Sequence, residues 1–68
     1  MNKYKVYTAY HPYQGYIVAQ DIELEIVQNI AQAIACRLCA DIDIYEREYN
    51  PDDETFDEGG IVWCTSVI

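Results

Sequence analysis

The chain has 68 residues, of which 51% are apolar, and a net charge of -8 at pH 7. A domain of this length has one thin core, since it hides only about 60% of the surface that its unfolded chain exposes. The apolar content is too high for a disordered acidic tail. The charge has the wrong sign for direct binding to nucleic acid or to an anionic membrane. We therefore expect one folded domain, residues 1–68, whose partner is basic.

The cysteine count and the first residues bear on the compartment in which the protein works. Three cysteines are an odd number for a small disulfide-linked secreted scaffold. The N-terminal stretch lacks the basic, apolar and small-residue segments of a signal peptide. No apolar run approaches the roughly 18 residues of a membrane span. The sequence predicts a soluble cytoplasmic protein with reduced thiols.

Two short strands are predicted first, over residues 3–10 and 16–20. KYKVYTAY and YIVAQ are rich in tyrosine and in β-branched residues, and the first of them alternates. If its two lysines face water, four side chains face inward: Tyr4, Val6, Thr8 and Tyr10.

The turn between these strands is predicted over residues 11–15, HPYQG. Pro12 fixes its own φ, and Gly15 can take a positive φ. We expect His11 to be an exposed residue of this turn. The two strands then form a hairpin.

One helix is predicted over residues 21–40, with Asp21 as its N-cap. Its large apolar residues recur at a spacing of four, and Val27 and Ala31 lie beside them in the same stripe; the residues at that spacing are Ile22, Ile26, Ile30, Ile34 and Leu38. We expect this stripe to pack on the sheet. The opposite face is almost uncharged and is either a second contact surface or a face without a role; it carries Gln28, Asn29, Gln32, Cys36 and Cys39.

Residues 41–49, DIDIYEREY, alternate and predict a third strand with Ile42 and Ile44 toward the helix. Strict alternation puts Glu46 and Glu48 on the same side, where burial of a carboxylate is costly. Either the strand extends past the end of the helix, or a bulge near Tyr45 resets the faces.

The remaining residues predict an acidic connection and a last strand. Residues 50–60 are an 11-residue connection, longer than an ordinary hairpin loop. Residues 61–68, IVWCTSVI, are nearly continuously apolar, which favours a central position in the sheet. The predicted fold class is α+β, in the order β-β-α-β-β, with an antiparallel sheet of three or four strands and one helix on one face.

Residue types for catalysis and metal binding are sparse. Cys36 and Cys39 form a C-x-x-C at a helix end, where the dipole disfavours a thiolate. Zinc would need both of them to converge with Cys64 and His11 from three separate elements. We expect Cys64 to be a buried strand residue instead. The sequence predicts no catalytic residue, no metal site and no cofactor, and a small metal-binding protein is the third-ranked alternative.

The negative charge is confined to one segment. Residues 41–60 hold nine carboxylates against Arg47, whereas the charges of residues 1–40 cancel. Three aromatic residues lie among these acids and can supply apolar or stacking contacts. We expect the partner to bind Asp43, Tyr45, Glu46, Glu48, Tyr49, Asp52, Asp53, Glu54, Phe56, Asp57 and Glu58.

Small acidic chains of this kind, compact and without catalytic residues, resemble phage-encoded inhibitors that act as DNA mimics. These include anti-CRISPR, anti-restriction and uracil-DNA glycosylase inhibitor proteins. The resemblance lies in overall character and element order, and it assigns no residue. It implies a non-enzymatic protein that blocks a basic, nucleic-acid-binding partner in the host cytoplasm.

An alternative of a different class is a small structural or regulatory homo-oligomer. Its copies would be joined through the uncharged helix face or an open sheet edge. The acidic segment would then serve solubility only.

Overall fold

The computed structural model describes residues 2–65 and shows one helix packed on an antiparallel sheet. The elements are β1 (Tyr4–His11), β2 (Tyr16–Asp21), α1 (Leu24–Leu38), β3 (Asp43–Asn50), β4 (Thr55–Phe56) and β5 (Gly60–Cys64). Strand β1 lies between β2 and β3, and both β4 and β5 pair with β3. The predicted α+β class is confirmed, with β4 as an additional short strand. Positions 66–68 of the predicted last strand lie outside the described residues.

The β1–β2 hairpin turns through Gly15, which has the expected positive φ of 77°. The amide of Gly15 donates to the carbonyl oxygen of His11 at 2.8 Å. His11 itself is buried, with 5% of its surface exposed, so the prediction of an exposed histidine is wrong. The reason is that β1 continues to His11, whose ring stacks on Tyr16 with centroids 5.3 Å apart. The Nδ1 atom of His11 also accepts a hydrogen bond from the backbone amide of Gln14 at 3.1 Å.

The two faces of β1 are assigned differently from the prediction. Ala9 pairs with Ile44 in the β1–β3 register, and both are fully buried in the cluster that includes the helix. Alternation then puts Val6 and Thr8 on the face away from the helix, although both are buried as expected. Tyr4 and Tyr10 lie on that face too, so the predicted inward set does not contact α1.

The helix packs on the sheet through small side chains. Its fully buried residues are Val27, Ala31 and Ala35, whereas Ile26 and Ile30 are 41% and 42% exposed. The predicted stripe is therefore right for Val27 and Ala31, which pack on the sheet, and wrong for Ile26 and Ile30, which are exposed. A spacing of four advances about 40° around a helix at each step, so such a stripe winds away from a straight contact line. The series of isoleucines meets the core only near Ile34, which packs against it.

The helix begins three residues later than expected. Glu23 is the N-cap and makes no side-chain capping bond. Asp21, the predicted cap, instead accepts a hydrogen bond from the amide of Glu23 at 2.9 Å through its side chain. The helix is thus shorter at both ends than the predicted range of residues 21–40.

Strand β5 lies at an edge of the sheet, which corrects the predicted central position. Among the described residues it pairs with β3 alone. Its apolar residues divide, since Trp63 packs on the core while Ile61 and Val62 are exposed. Beyond it, the Thr65 hydroxyl accepts a hydrogen bond from the backbone amide of Ile42 at 2.7 Å, which ties the residue after β5 to the residue before β3.

Replacing Cys39 by glycine is expected to raise the free energy of unfolding by about 0.5–1 kcal/mol. Cys39 ends α1 with φ 52° and ψ 44°, a left-handed conformation that glycine adopts without strain. Urea unfolding monitored by circular dichroism measures the change. Cys36→Gly is the control, because glycine inside α1 lowers stability by about 0.5 kcal/mol. Equal effects of the two substitutions would contradict the assigned conformation.

Candidate functional site

Strand β3 keeps strict alternation, which decides where its glutamates lie. The β1–β3 register runs without a break along β3, and the irregularity in the β3–β5 pairing leaves the extra residue, Val62, on β5. Glu46 and Glu48 therefore share the face of Ile44. Their side chains are 34% and 45% exposed, because this part of β3 extends past the helix. The first of the two alternatives is thus confirmed.

Four carboxylates from two segments line one groove of about 340 Å³, which we call the acidic groove: Glu46, Glu48, Asp57 and Glu58. The β4–β5 connection is held against β3 here, since the amide of Asp57 donates to the carbonyl oxygen of Glu48 at 2.9 Å. Gly59 follows and lies directly over the backbone of Glu46, where a Cβ atom would not fit. The acidic groove therefore depends on this glycine.

The positive charges near the acidic groove compensate it only weakly. Lys5 Nζ lies 3.4 Å from Glu46 Oε1, and Lys3 Nζ lies 4.0 Å from Glu48 Oε1. Both pairs are solvent-exposed and hence weak, worth about 0–1 kcal/mol each. The guanidinium of Arg47 is turned to the other face of the sheet, where its Nη2 donates to the Thr8 hydroxyl at 3.1 Å. The acidic groove thus keeps a negative potential.

Asp52, Asp53 and Glu54 lie at the tip of a tight hairpin. Strand β4 pairs with β3, which leaves a four-residue turn over residues 51–54. The Asn50 amide group donates to Asp53 Oδ2 at 3.0 Å, and Asn50 Oδ1 accepts from the amide of Asp52 at 3.0 Å. The predicted 11-residue connection is therefore wrong. We call residues 52–54 the hairpin tip.

Aromatic rings cover the sheet face opposite the helix. Tyr49 contacts Tyr4 and Phe56, with ring centroids 5.4 Å and 4.8 Å apart. Arg47 lies over the Phe56 ring, with its Cζ 4.4 Å from the centroid. Tyr45 contacts Tyr10 on the same face at 6.3 Å. This aromatic face lies on the same hairpin as the acidic groove but on its other side.

The structure divides the predicted binding residues into three groups. The acidic groove holds Glu46, Glu48, Asp57 and Glu58, the hairpin tip holds Asp52, Asp53 and Glu54, and the aromatic face holds Asp43, Tyr45, Tyr49 and Phe56. Sequence reasoning missed four further residues beside the last group: Thr8, Tyr10, Ile17 and Arg47. Together with Tyr45, Glu58 and Gly59 they line a groove of about 390 Å³, so Glu58 borders both grooves. The alternation of β1 carried that signal, but only its pairing with β3 shows which face the residues share.

Cys64 differs from the prediction of a buried strand residue, because it is exposed. Its thiol donates to Asp43 Oδ1 at 3.1 Å. This hydrogen bond, together with partial desolvation and the charges of Asp43 and Asp41, raises the pKa of the Cys64 thiol. Since a thiolate is the nucleophilic form, Cys64 is a weak nucleophile.

The other cysteines are exposed free thiols, Cys36 and Cys39. Within residues 2–65, no three or more histidine, cysteine, aspartate or glutamate side chains are grouped so that they could hold a metal ion.

Comparison of the chain with protein-family models, with curated proteins and with solved structures gives no match. None of the helical segments described here has the length and hydropathy to cross a membrane. The functional argument therefore depends on the geometry of the site.

Proposed function

We propose that the chain is a non-enzymatic binding protein that engages a basic, nucleic-acid-binding partner and blocks it by mimicking nucleic acid. The acidic groove carries this proposal. It joins Glu46 and Glu48 of β3 with Asp57 and Glu58 of a separate connection. The cations that also line it are Lys5, which is exposed, and Arg47, whose guanidinium bonds on the other face of the sheet. Clustered carboxylates of this kind complement a surface built of lysine and arginine.

Two acids of the groove also follow one another along an extended strand. Glu46 and Glu48 are successive residues on one face of β3, about 6.8 Å apart along the strand. The hairpin tip continues the negative charge beyond the end of β3. A protein groove that tracks a polyanionic backbone meets a comparable linear series of charges.

The aromatic face supplies a second kind of contact at the same end of the molecule. Phe56 is exposed, and Tyr49 packs beside it on the same hairpin. A site that binds nucleic acid offers apolar and stacking surfaces to bases as well as cations to phosphates. One partner can therefore contact the hairpin on two sides, at the acidic groove and at the aromatic face.

Neutralising the acidic groove is expected to weaken partner binding by about thirtyfold or more, since each lost charge contact contributes roughly 0.5–1 kcal/mol. The variant is Glu46→Gln, Glu48→Gln, Asp57→Asn and Glu58→Gln. Proteins retained from cell lysate by the immobilised wild type are identified by mass spectrometry. Each is then purified, and its affinity for wild type and variant is measured by titration calorimetry. Duplex DNA or RNA is added as a competitor.

The matched control removes the same amount of negative charge outside the site by two charge reversals: Glu25→Lys and Asp41→Lys. It has the same net charge as the groove variant, and we expect it to bind the partner as the wild type does, apart from weak long-range effects screened by salt. Equal affinity of the two variants would exclude the acidic groove as the binding site. Binding that nucleic acid does not displace would exclude mimicry.

A further inference from the structure

The helix exposes apolar residues on the side turned away from the sheet. Ile26, Ile30 and Ala33 are all exposed. At 100° per residue they lie about 130° around the helix from its buried residues. A solvent-facing helix side is ordinarily polar, and two half-exposed isoleucines there retain unsatisfied apolar surface. This side of the helix therefore has the composition of a contact surface.

The spacing on this side is that of a helix pair. Five residues follow one another at intervals of three, four, three and four, and we call them the helix seam: Glu23, Ile26, Ile30, Ala33 and Arg37. Alternating intervals of three and four keep residues in line along the face that meets a partner helix. The seam is distinct from the acidic groove, the hairpin tip and the aromatic face.

The charges of the helix seam determine which partner fits it. Glu23 lies at the N-cap and Arg37 in the last turn, and each is seven residues from Ile30. Neither side chain has an ion-pair partner within residues 2–65. An antiparallel pairing of two identical helices about a twofold axis at Ile30 puts Glu23 of each copy beside Arg37 of the other. A parallel pairing would instead put like charges together.

We propose that two copies of the chain associate antiparallel through the helix seam, about a twofold axis at Ile30. The isoleucines of the two copies pack at the centre, and a Glu23–Arg37 pair closes each end. The seam has only two heptads, so we expect it to bury less than the roughly 1,200 Å² of a standard stable interface. We therefore expect a reversible dimer with a dissociation constant on the order of 100 µM, which corresponds to about 5.5 kcal/mol.

Charge exchange tests the pairing directly by sedimentation equilibrium, up to about 1 mM protein. Glu23→Arg alone and Arg37→Glu alone each bring like charges together, and each is expected to weaken the dimer by about tenfold or more. A mixture of the two single variants forms complementary pairs at both ends and is expected to dimerise. The double variant with both substitutions regains the wild-type dissociation constant.

Glu25→Arg is the matched control, because it changes the net charge as Glu23→Arg does but lies outside the helix seam. It should leave dimerisation unchanged apart from the reduced net repulsion. Circular dichroism confirms that each variant keeps its helix. A wild-type monomer at about 1 mM, or a mixture of single variants that stays monomeric, would overturn the proposal. Neither result bears on the acidic groove, so the two proposals are tested separately.

Discussion

Gly59→Ala is expected to lower the free energy of unfolding by about 3 kcal/mol. A Cβ atom at this position would overlap the carbonyl oxygen of Glu46 and lie 2.6 Å from Cγ of Arg47. The obstacle is backbone of the sheet, which cannot rotate away as a side chain could. The β4–β5 connection would have to lift from β3. Thermal unfolding should show a lower midpoint, by about 15 °C for a domain of this size.

The next residue supplies a matched control. A Cβ atom at Gly60 meets nothing within 4 Å, so Gly60→Ala should change stability by less than about 0.5 kcal/mol. Similar midpoints for the two variants would contradict the close approach of the connection to β3. Where the Gly59→Ala variant remains folded at low temperature, the displaced connection moves Asp57 and Glu58. Its affinity for the partner should then fall as well.

Local patterns in the sequence predict where the strands and the helix lie better than they predict which side of each one faces the core. The alternation of residues 3–10 and 41–49 and the helical periodicity of 21–40 all mark elements that the structure contains. The same kind of pattern does not predict the face of β1, because the expectation that Lys5 marks the side away from the helix is wrong. Lys5 lies on the helix side, next to Glu46, at the part of the sheet that α1 does not cover. The charge of Lys5 therefore indicates that one end of β1 is exposed to solvent. It does not indicate which face of the strand is exposed.

The sequence predicts which residues belong to the site, but it does not predict how they are arranged in space. The acidic groove depends on β4, which has two residues and no pattern of its own. Its register comes from the pairing of Phe56 with Tyr49 and from the contact of Phe56 with Arg47. These are contacts across a turn, and they separate the acids of the hairpin tip from those of the acidic groove. A pattern of neighbouring residues carries no information on such pairing.

The helix provides the clearest test between sequence pattern and structure. Ala35 is fully buried against the sheet, whereas Ala33, two residues away, is exposed. Ala35→Leu is therefore expected to lower the free energy of unfolding by about 2–3 kcal/mol, because three added carbon atoms find no space. The same substitution at Ala33 should change it by less than about 0.5 kcal/mol. If the isoleucine stripe packed on the sheet instead, Ala33 would be the sensitive position, and the order of the two effects would reverse. Urea unfolding at about 5 µM protein, well below the dissociation constant expected for the dimer, measures both without a contribution from the helix seam.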